Sequence, residues 1–508
     1  MDSESFDYVI VGAGSSGCAL AHRLATSTAA SVLLIEAGPG TVPPPLRAAS
    51  SWPLLLKSAY DWQYRTVRQR YAGDRAFEWP RGRMVGGCSS MNGMVFLRGA
   101  PADYDAWERL GCRGWGYRHV LEDFRSLETY HTGGGPYRGD SGPLHPRAVT
   151  ARNPLSEAMI AAAMERGHPF NPDFNAAALE GMGWNDLLIK DGQREDLGAA
   201  LVEPLKGRDN FRVLTDAVAT RLLVDRAEPR VRGVEYAAGG RLGRVMADGE
   251  VIVCAGAVDS PRLLLLSGIG PASELEKLGV DVVSNLPGVG KNLHDHLLIG
   301  VVYEARVPIP PINVNITEAC LFATSNPEGA DCDIEISFVH EPMFTPGFDP
   351  PGNSYSIIPG IVKPRSRGSV SLASPDPATP PLIDPRYLQD DADLHGLARG
   401  IEMAREIGAA AALGEWRRRE VVPGPGTADR ADLERFVRQS VCTWYHPVGT
   451  CKMGIDADAV VDPMLRVRGI EGLRVADASI MPAVVSANTN AASIMIGWRG
   501  AGLIAGAH

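Results

Sequence analysis

Three short segments carry residue types whose spacing could do chemistry. Near the start stands Phe6-Asp7-Tyr8-Val9-Ile10-Val11-Gly12-Ala13-Gly14-Ser15-Ser16-Gly17; near the end stand His446-Pro447-Val448-Gly449-Thr450 and Asn488-Thr489-Asn490. The spacing Gly12-x-Gly14-x-x-Gly17 suits a dinucleotide. Gly12 permits a tight turn, Gly14 lets the backbone approach a pyrophosphate, and Gly17 lets helix and strand pack closely. Ser15 and Ser16 then open a helix whose unsatisfied N–H groups can face phosphates. Glu36, followed by Ala37, lies 19 residues beyond Gly17. A carboxylate there accepts from a ribose hydroxyl and repels a 2′-phosphate. The later segments offer an imidazole and an amide. Together the two chain ends suggest a redox cofactor and a base to serve it, with FAD and NAD not separated by the spacing.

Elements must position these groups. Tyr8 to Val11 is a short apolar run suited to a buried parallel strand. Cys18 to Ala25 predicts a helix and Ser31 to Ile35 a second strand, which makes a βαβ unit. Residues 40 to 80 look like an extended covering segment. Arg81 to Arg98 is rich in Gly, Ser and Asn, as backbone wrapped against a ligand would be. Helices are expected over 153–166, from Ser260 to Leu266 ending at Gly268, and over 393–412, 430–441 and 491–505. Strands are expected over 211–224 and 249–254. Residues 300 to 390 predict a mainly antiparallel sheet.

The totals bound the class. A chain of 508 residues suggests two domains, and 45% hydrophobic residues is ordinary for a globular protein. A net charge of −10 disfavours a general nucleic-acid or anionic-membrane surface. The eight cysteines show no CxxC and no zinc-like spacing. Buried, reduced thiols are expected. Met1 to Ser5 is too short and acidic for a signal peptide, and no run of apolar residues is long enough to span a membrane. The expected location is the cytoplasm.

Four further motifs carry a resemblance. They are Arg83-Met84-Val85-Gly86-Gly87-Cys88-Ser89-Ser90-Met91-Asn92; Gly256-Ala257-Val258-Asp259-Ser260-Pro261 through Ser267-Gly268-Ile269-Gly270; Leu286-Pro287-Gly288-Val289-Gly290-Lys291-Asn292-Leu293; and Val475-Ala476-Asp477-Ala478-Ser479. With the opening turn and Trp444-Tyr445-His446, they resemble the glucose–methanol–choline flavin oxidoreductases, including choline dehydrogenase-like, aryl-alcohol and hydroxymethylfurfural oxidase-like members. The resemblance implies an α/β, overall α+β, fold. It would have a Rossmann-like FAD domain (1–152, 205–299, 456–508) and a substrate domain of sheet and helices (153–204, 300–455). It implies that Gly12, Gly14, Ser16, Gly17 and Glu36 hold the ADP half and that Val218 lies by the adenine. Val85, Asn92, Gly93, Met94 and Val95 would line the flavin, and Asp477 would meet the ribityl–phosphate chain. The last helix, starting near Asn490, would direct its positive end to the flavin N1–C2=O edge. Ser15, Ala37, Gly86, Ser90, Ala255, Gly256, Tyr445, Ala478, Asn488 and Thr489 complete the expected cofactor shell. Some choline-oxidising members attach flavin through a His at the position of Met91, so noncovalent FAD is expected here.

The implied reaction is oxidation of a primary or secondary alcohol. His446 would take the alcohol proton as hydride leaves for flavin N5, with Asn488 at the alcohol oxygen. Electrons would pass to O₂ or another acceptor. A flavin-containing hydroxynitrile lyase is the alternative. The photodecarboxylase branch is disfavoured, because Val362 stands where it has Cys and His446 is present. His294-Asp295-His296 lacks a third ligand at useful spacing for a metal. Asp331, Asp333, Glu335 and Glu341 could favour a cationic alcohol. The alternation of Asp333 and Glu335 with Ile334 and Ile336 instead predicts a half-exposed strand with a solvated acidic face. The alcohol, whether aryl, choline-like, amino-sugar or furan, stays open, as do the choice between oxidase and dehydrogenase and the oligomeric state.

Overall fold

The computed structural model describes residues 4–311, 315–326, 329, 331–343 and 345–506. Met1–Ser5 therefore lies partly outside the described residues. Two sheets organise the chain. In the first, strands run in the order Phe211–Leu214, Val32–Ile35, Ser5–Val11, Arg241–Val253, Arg230–Ala238, Ala217–Asp225. Leu473–Val475 also pairs with Arg241–Val253. Val9, Ile10 and Val32 to Ile35 are all buried. That is why these strands read as unbroken apolar runs: parallel strands covered on both faces have no wet side.

The long strand Arg241–Val253 changes partners along its length. Its first half pairs antiparallel, with Val245 against Val234; its second half pairs parallel, with Val251 between Val9 and Leu473. Strand Arg230–Ala238 is absent from the sequence expectation, and the 211–224 run is two strands broken at Thr215-Asp216. Helices Pro101–Arg109 and Tyr117–Leu127 are also additional. Residues 40 to 80, expected as extended cover, contain 3₁₀ turns at Pro44–Leu46 and Ala49–Leu55 and a two-strand pair.

Helices Ser15–Ser27 and Thr489–Ala505 pack together beneath the first sheet. A Cβ at Gly497 would lie 2.0 Å from the Ser16 carbonyl oxygen, so only glycine permits this approach. The chain's two ends are thereby fixed side by side.

The second sheet is antiparallel. Its order is Arg417–Val422, Val301–Ala305, Ser354–Ile361, Ile334–Val339, Ala319–Ala323, Gly181–Trp184, with Leu297–Leu298 and Cys442–Thr443 at one corner. Helices Pro154–Glu165, Asp391–Gly408 and Arg430–Ser440 bury apolar side chains in the core formed with one face of this sheet. Asn153, Asp390 and Asp429 each cap their helix with a side-chain oxygen, which fixes where these three helices start. Ile334, Ile336 and Phe338 belong to the core beneath those helices. Among the described residues no helix is long and apolar enough to cross a membrane. All eight cysteines are free thiols.

Candidate active site

A single cavity of about 670 Å³ is lined by residues of both sheets. At one end is the Gly12 turn. Gly12 has φ +101°, and a Cβ there would sit 2.6 Å from the Cys254 carbonyl oxygen. Both facts demand glycine. A Cβ on Gly17 would fall 1.9 Å from the Gly12 oxygen, so Gly17 serves helix–turn packing behind the cavity. Glu36 is buried at the end of its strand. Its Oε2 accepts from the Ala13 amide and its Oε1 from the Gly38 amide, each at 2.9 Å. Burial still pushes its carboxyl up to about 7. Each oxygen retains acceptor capacity, and Glu36 lines the cavity.

Two helix starts converge here. Neither Gly14 nor Asn488, the residues preceding them, makes a side-chain cap. Ser15 Oγ donates to Asn490 Oδ1 at 2.7 Å and ties the two starts together. Asn490 Nδ2 and Asn488 Oδ1 are buried without a hydrogen-bond partner. Uncapped N–H groups and an orphaned donor and acceptor at one wall form a cradle that suits an anionic dinucleotide. The residues present thus fit FAD.

The structure brings most of the sequence-predicted residues to this wall: Gly12, Gly14, Ser15, Ser16, Glu36, Ala37, Asn92, Gly93, Met94, Val95, Val218, Ala255, Gly256, Tyr445, Asp477, Ala478, Asn488, Thr489 and Asn490, with His446. Met91 lies there too. Val85, Gly86 and Ser90 do not line the cavity. Val85 is 2% exposed within the core of the first sheet. The Gly86 amide is turned to the Ala13 carbonyl at 2.8 Å, and Ser90 is 1% exposed. They support the wall from behind. Asp477 starts a short 3₁₀ turn, accepting from the Ser479 amide at 2.7 Å and the Gly256 amide at 2.9 Å. It is a cap as well as a wall residue.

His446 is half-buried at the cavity. Its amide donates to Asp295 Oδ1 at 2.7 Å. Its Nδ1 lies 3.0 Å from His296 Nδ1, and its Nε2 lies 3.4 Å from Asn488 Nδ2. Burial, then the neighbouring His296 and Arg81, hold its pKa well below the usual histidine value. The imidazole is therefore neutral near pH 7 and has a free proton site.

The His294-Asp295-His296 run is divided among separate tasks. His294 Nε2 meets Asn292 Oδ1 at 3.0 Å, and Asp295 accepts from Tyr387, Thr443 and the His446 amide. His296 reaches His446. Among the described residues no three His, Cys, Asp or Glu side chains form a metal-binding group.

The half-exposed acidic strand is a correction. Every residue of Ile334–Val339 is buried, and Glu335, Ser337 and Val339 face the cavity. The alternation was real, but its polar side is turned to an internal space. A period of two cannot distinguish the two cases. The sequence raised Glu335 only within an acidic run read as a solvated face, and His296 only as part of a metal candidate; Trp444 had a signal in its place in the Trp-Tyr-His run.

The comparisons agree with this geometry. The chain matches the models described as GMC oxidoreductase over residues 6–298 and 364–497. It is 38% identical to mitochondrial choline dehydrogenase of Homo sapiens, covering 99% of this chain and 90% of that protein. It is 37% identical to alcohol dehydrogenase [acceptor] of Pseudomonas putida, covering 98% and 95%. Pyridoxine 4-oxidase from Mesorbium loti superposes with a TM-score of 0.94 at 37% identity, covering 97% and 98%. The chain belongs to the GMC oxidoreductase family, and is an FAD-binding enzyme that oxidises a CH–OH donor.

Proposed function

We propose that His446 is the base of this reaction and Asn488 its partner at the alcohol oxygen. The observation that carries this is the 3.4 Å approach of Asn488 Nδ2 to His446 Nε2 at the cavity wall. Asn488 occupies a helix-capping position yet leaves the helix uncapped, so its side chain serves the cavity instead.

His446 Nε2 takes the hydroxyl proton, which requires hydrogen on Nδ1. That hydrogen is donated to His296 Nδ1, so His296 fixes the tautomer and holds the ring. The Asp295 carboxylate anchors the His446 backbone. The Asn488 amide donates to the alcohol oxygen and orients the carbinol. FAD, when bound, supplies the hydride acceptor. Glu36, the Gly12–Ser16 turn, Asp477 and the start of the last helix would hold it without a covalent bond, and O₂ or another acceptor would be the final oxidant.

We assign the cofactor domain to 1–152, 205–299 and 456–508 and the substrate domain to 153–204 and 300–455. Sheet membership supports these limits except at Leu297–Leu298, which the second sheet takes from the end of 205–299. The free thiols favour a cytoplasmic enzyme. The test is anaerobic: a CH–OH substrate should bleach the yellow holoenzyme, and air should restore the colour if O₂ is the acceptor. A cyanohydrin cleaved with no flavin bleaching by any alcohol would instead identify a lyase.

A further inference from the structure

Four buried carboxylates stand around the cavity, and three are satisfied. Glu36 accepts from two amides. Asp295 accepts from Tyr387, Thr443 and an amide. Asp477 accepts from Ser260 and two amides. Glu335 differs. It is 2% exposed, and Ser337 Oγ donates to its Oε1 at 3.1 Å. Its Oε2 is buried with no partner among the described residues. No Lys or Arg among the described residues forms an ion pair with it within 4.0 Å, the separation of a direct pair.

A buried carboxylate without donors is unfavourable unless something brings them. The strand register shows where a ligand would lie. Glu335 is paired with Gly360, and a Cβ on Gly360 would fall 2.1 Å from Trp444 Cζ3. Trp444 in turn stacks on His446 with ring centroids 6.1 Å apart and planes at 12°. One indole thus spans from the Glu335 row to the base. Leu298, Val339 and Ile358 cluster with Met343 and Trp444 along the same wall. The wall is apolar, with one unmet acceptor.

We propose that Glu335 is a substrate-recognition residue, and that the alcohol it selects carries an N–H-bearing cation such as a protonated amine. The proposal rests on the reading of this cavity as the alcohol site. An ammonium N–H satisfies Oε2 and supplies the missing positive charge in one contact, while its hydroxyl end lies toward His446. A quaternary ammonium supplies charge but no donor, so Oε2 would stay unmet. A neutral alcohol supplies neither at that end. Burial pushes the Glu335 carboxyl up to about 8, and only the Ser337 hydroxyl opposes it.

The experiment uses the FAD-loaded enzyme and Glu335→Gln, which keeps the shape and removes the charge. Probes are primary amino alcohols of increasing chain length. Each is matched to the alkanol of equal heavy-atom count and to its trimethylammonium counterpart. The expected result is a kcat/KM preference for the amino alcohol over both, with the amine-to-alkanol ratio falling about 10- to 100-fold in Glu335→Gln. Calorimetry with the matched alkylamine, which has no hydroxyl, should show binding to the wild type and its loss in the variant. Glu335→Leu is the second variant should Gln disturb FAD content. An unchanged ratio together with unchanged alkylamine binding overturns the proposal. Alkylamine binding that depends on Glu335, with no alcohol reducing the flavin, would retain the cation site and overturn the alcohol reading instead.

Discussion

Asn488 sits where asparagine ordinarily caps a helix, and it does not cap. Its amide is turned to His446, and His446 is turned to His296. In the proposed arrangement the Nδ1 proton of His446 is directed to His296, and His296 acts through His446. With its pKa held below the usual histidine range, His446 is in its basic, neutral form above that value and loses it as pH falls through it. The acid limb of kcat/KM for the wild type should accordingly lie below the ordinary histidine value of about 6.5. His296 is among the groups that lower it. His296→Asn should then move the acid limb to higher pH and reduce the optimal rate about ten- to a hundredfold by loosening the ring. An unmoved limb with an unchanged rate would remove His296 from the account. His446 was legible from its Trp-Tyr-His-Pro context. His296 was not, because 150 residues separate the pair and only the corner where Leu297–Leu298 meets Cys442–Thr443 brings them together.

At the scale of elements, the proposed hold on FAD is distributed over a glycine turn, two uncapped helix starts, a strand-end carboxylate and the Met91 segment, all at the cavity. The thioether of Met91 has no proton to lose and so cannot form the neutral covalent link that an imidazole N–H can. Acid precipitation should leave the yellow colour in the supernatant, and colour retained in the washed pellet would contradict a noncovalent hold. The turn, its helix and the flanking strands were legible, since their apolar runs and glycine spacing follow from local sterics. The strand Arg230–Ala238 was not, because its sequence, Arg-Val-Arg-Gly-Val-Glu-Tyr-Ala-Ala, takes its pairing from distant partners. The direction of the Ile334–Val339 polar face was likewise set by tertiary structure. Local alternation is the same whether that face meets water or a cavity.

Across the whole molecule, the chain crosses between the two sheets repeatedly, so that neither makes the site alone. The first supplies the cofactor cradle. The second supplies Glu335 and, at its corner, the strand leading to Trp444 and His446. The packing of Ser15–Ser27 on Thr489–Ala505 then places Asn488 opposite that corner. The claim at the centre is that this convergence makes His446 the base for alcohol oxidation. Stopped-flow reduction of the FAD-loaded enzyme by a reactive alcohol, in the absence of oxygen, tests it most directly. His446→Ala should retain FAD and reduce its flavin at least about a hundredfold more slowly than the wild type. Reduction at a near wild-type rate in a variant with full FAD content would contradict it.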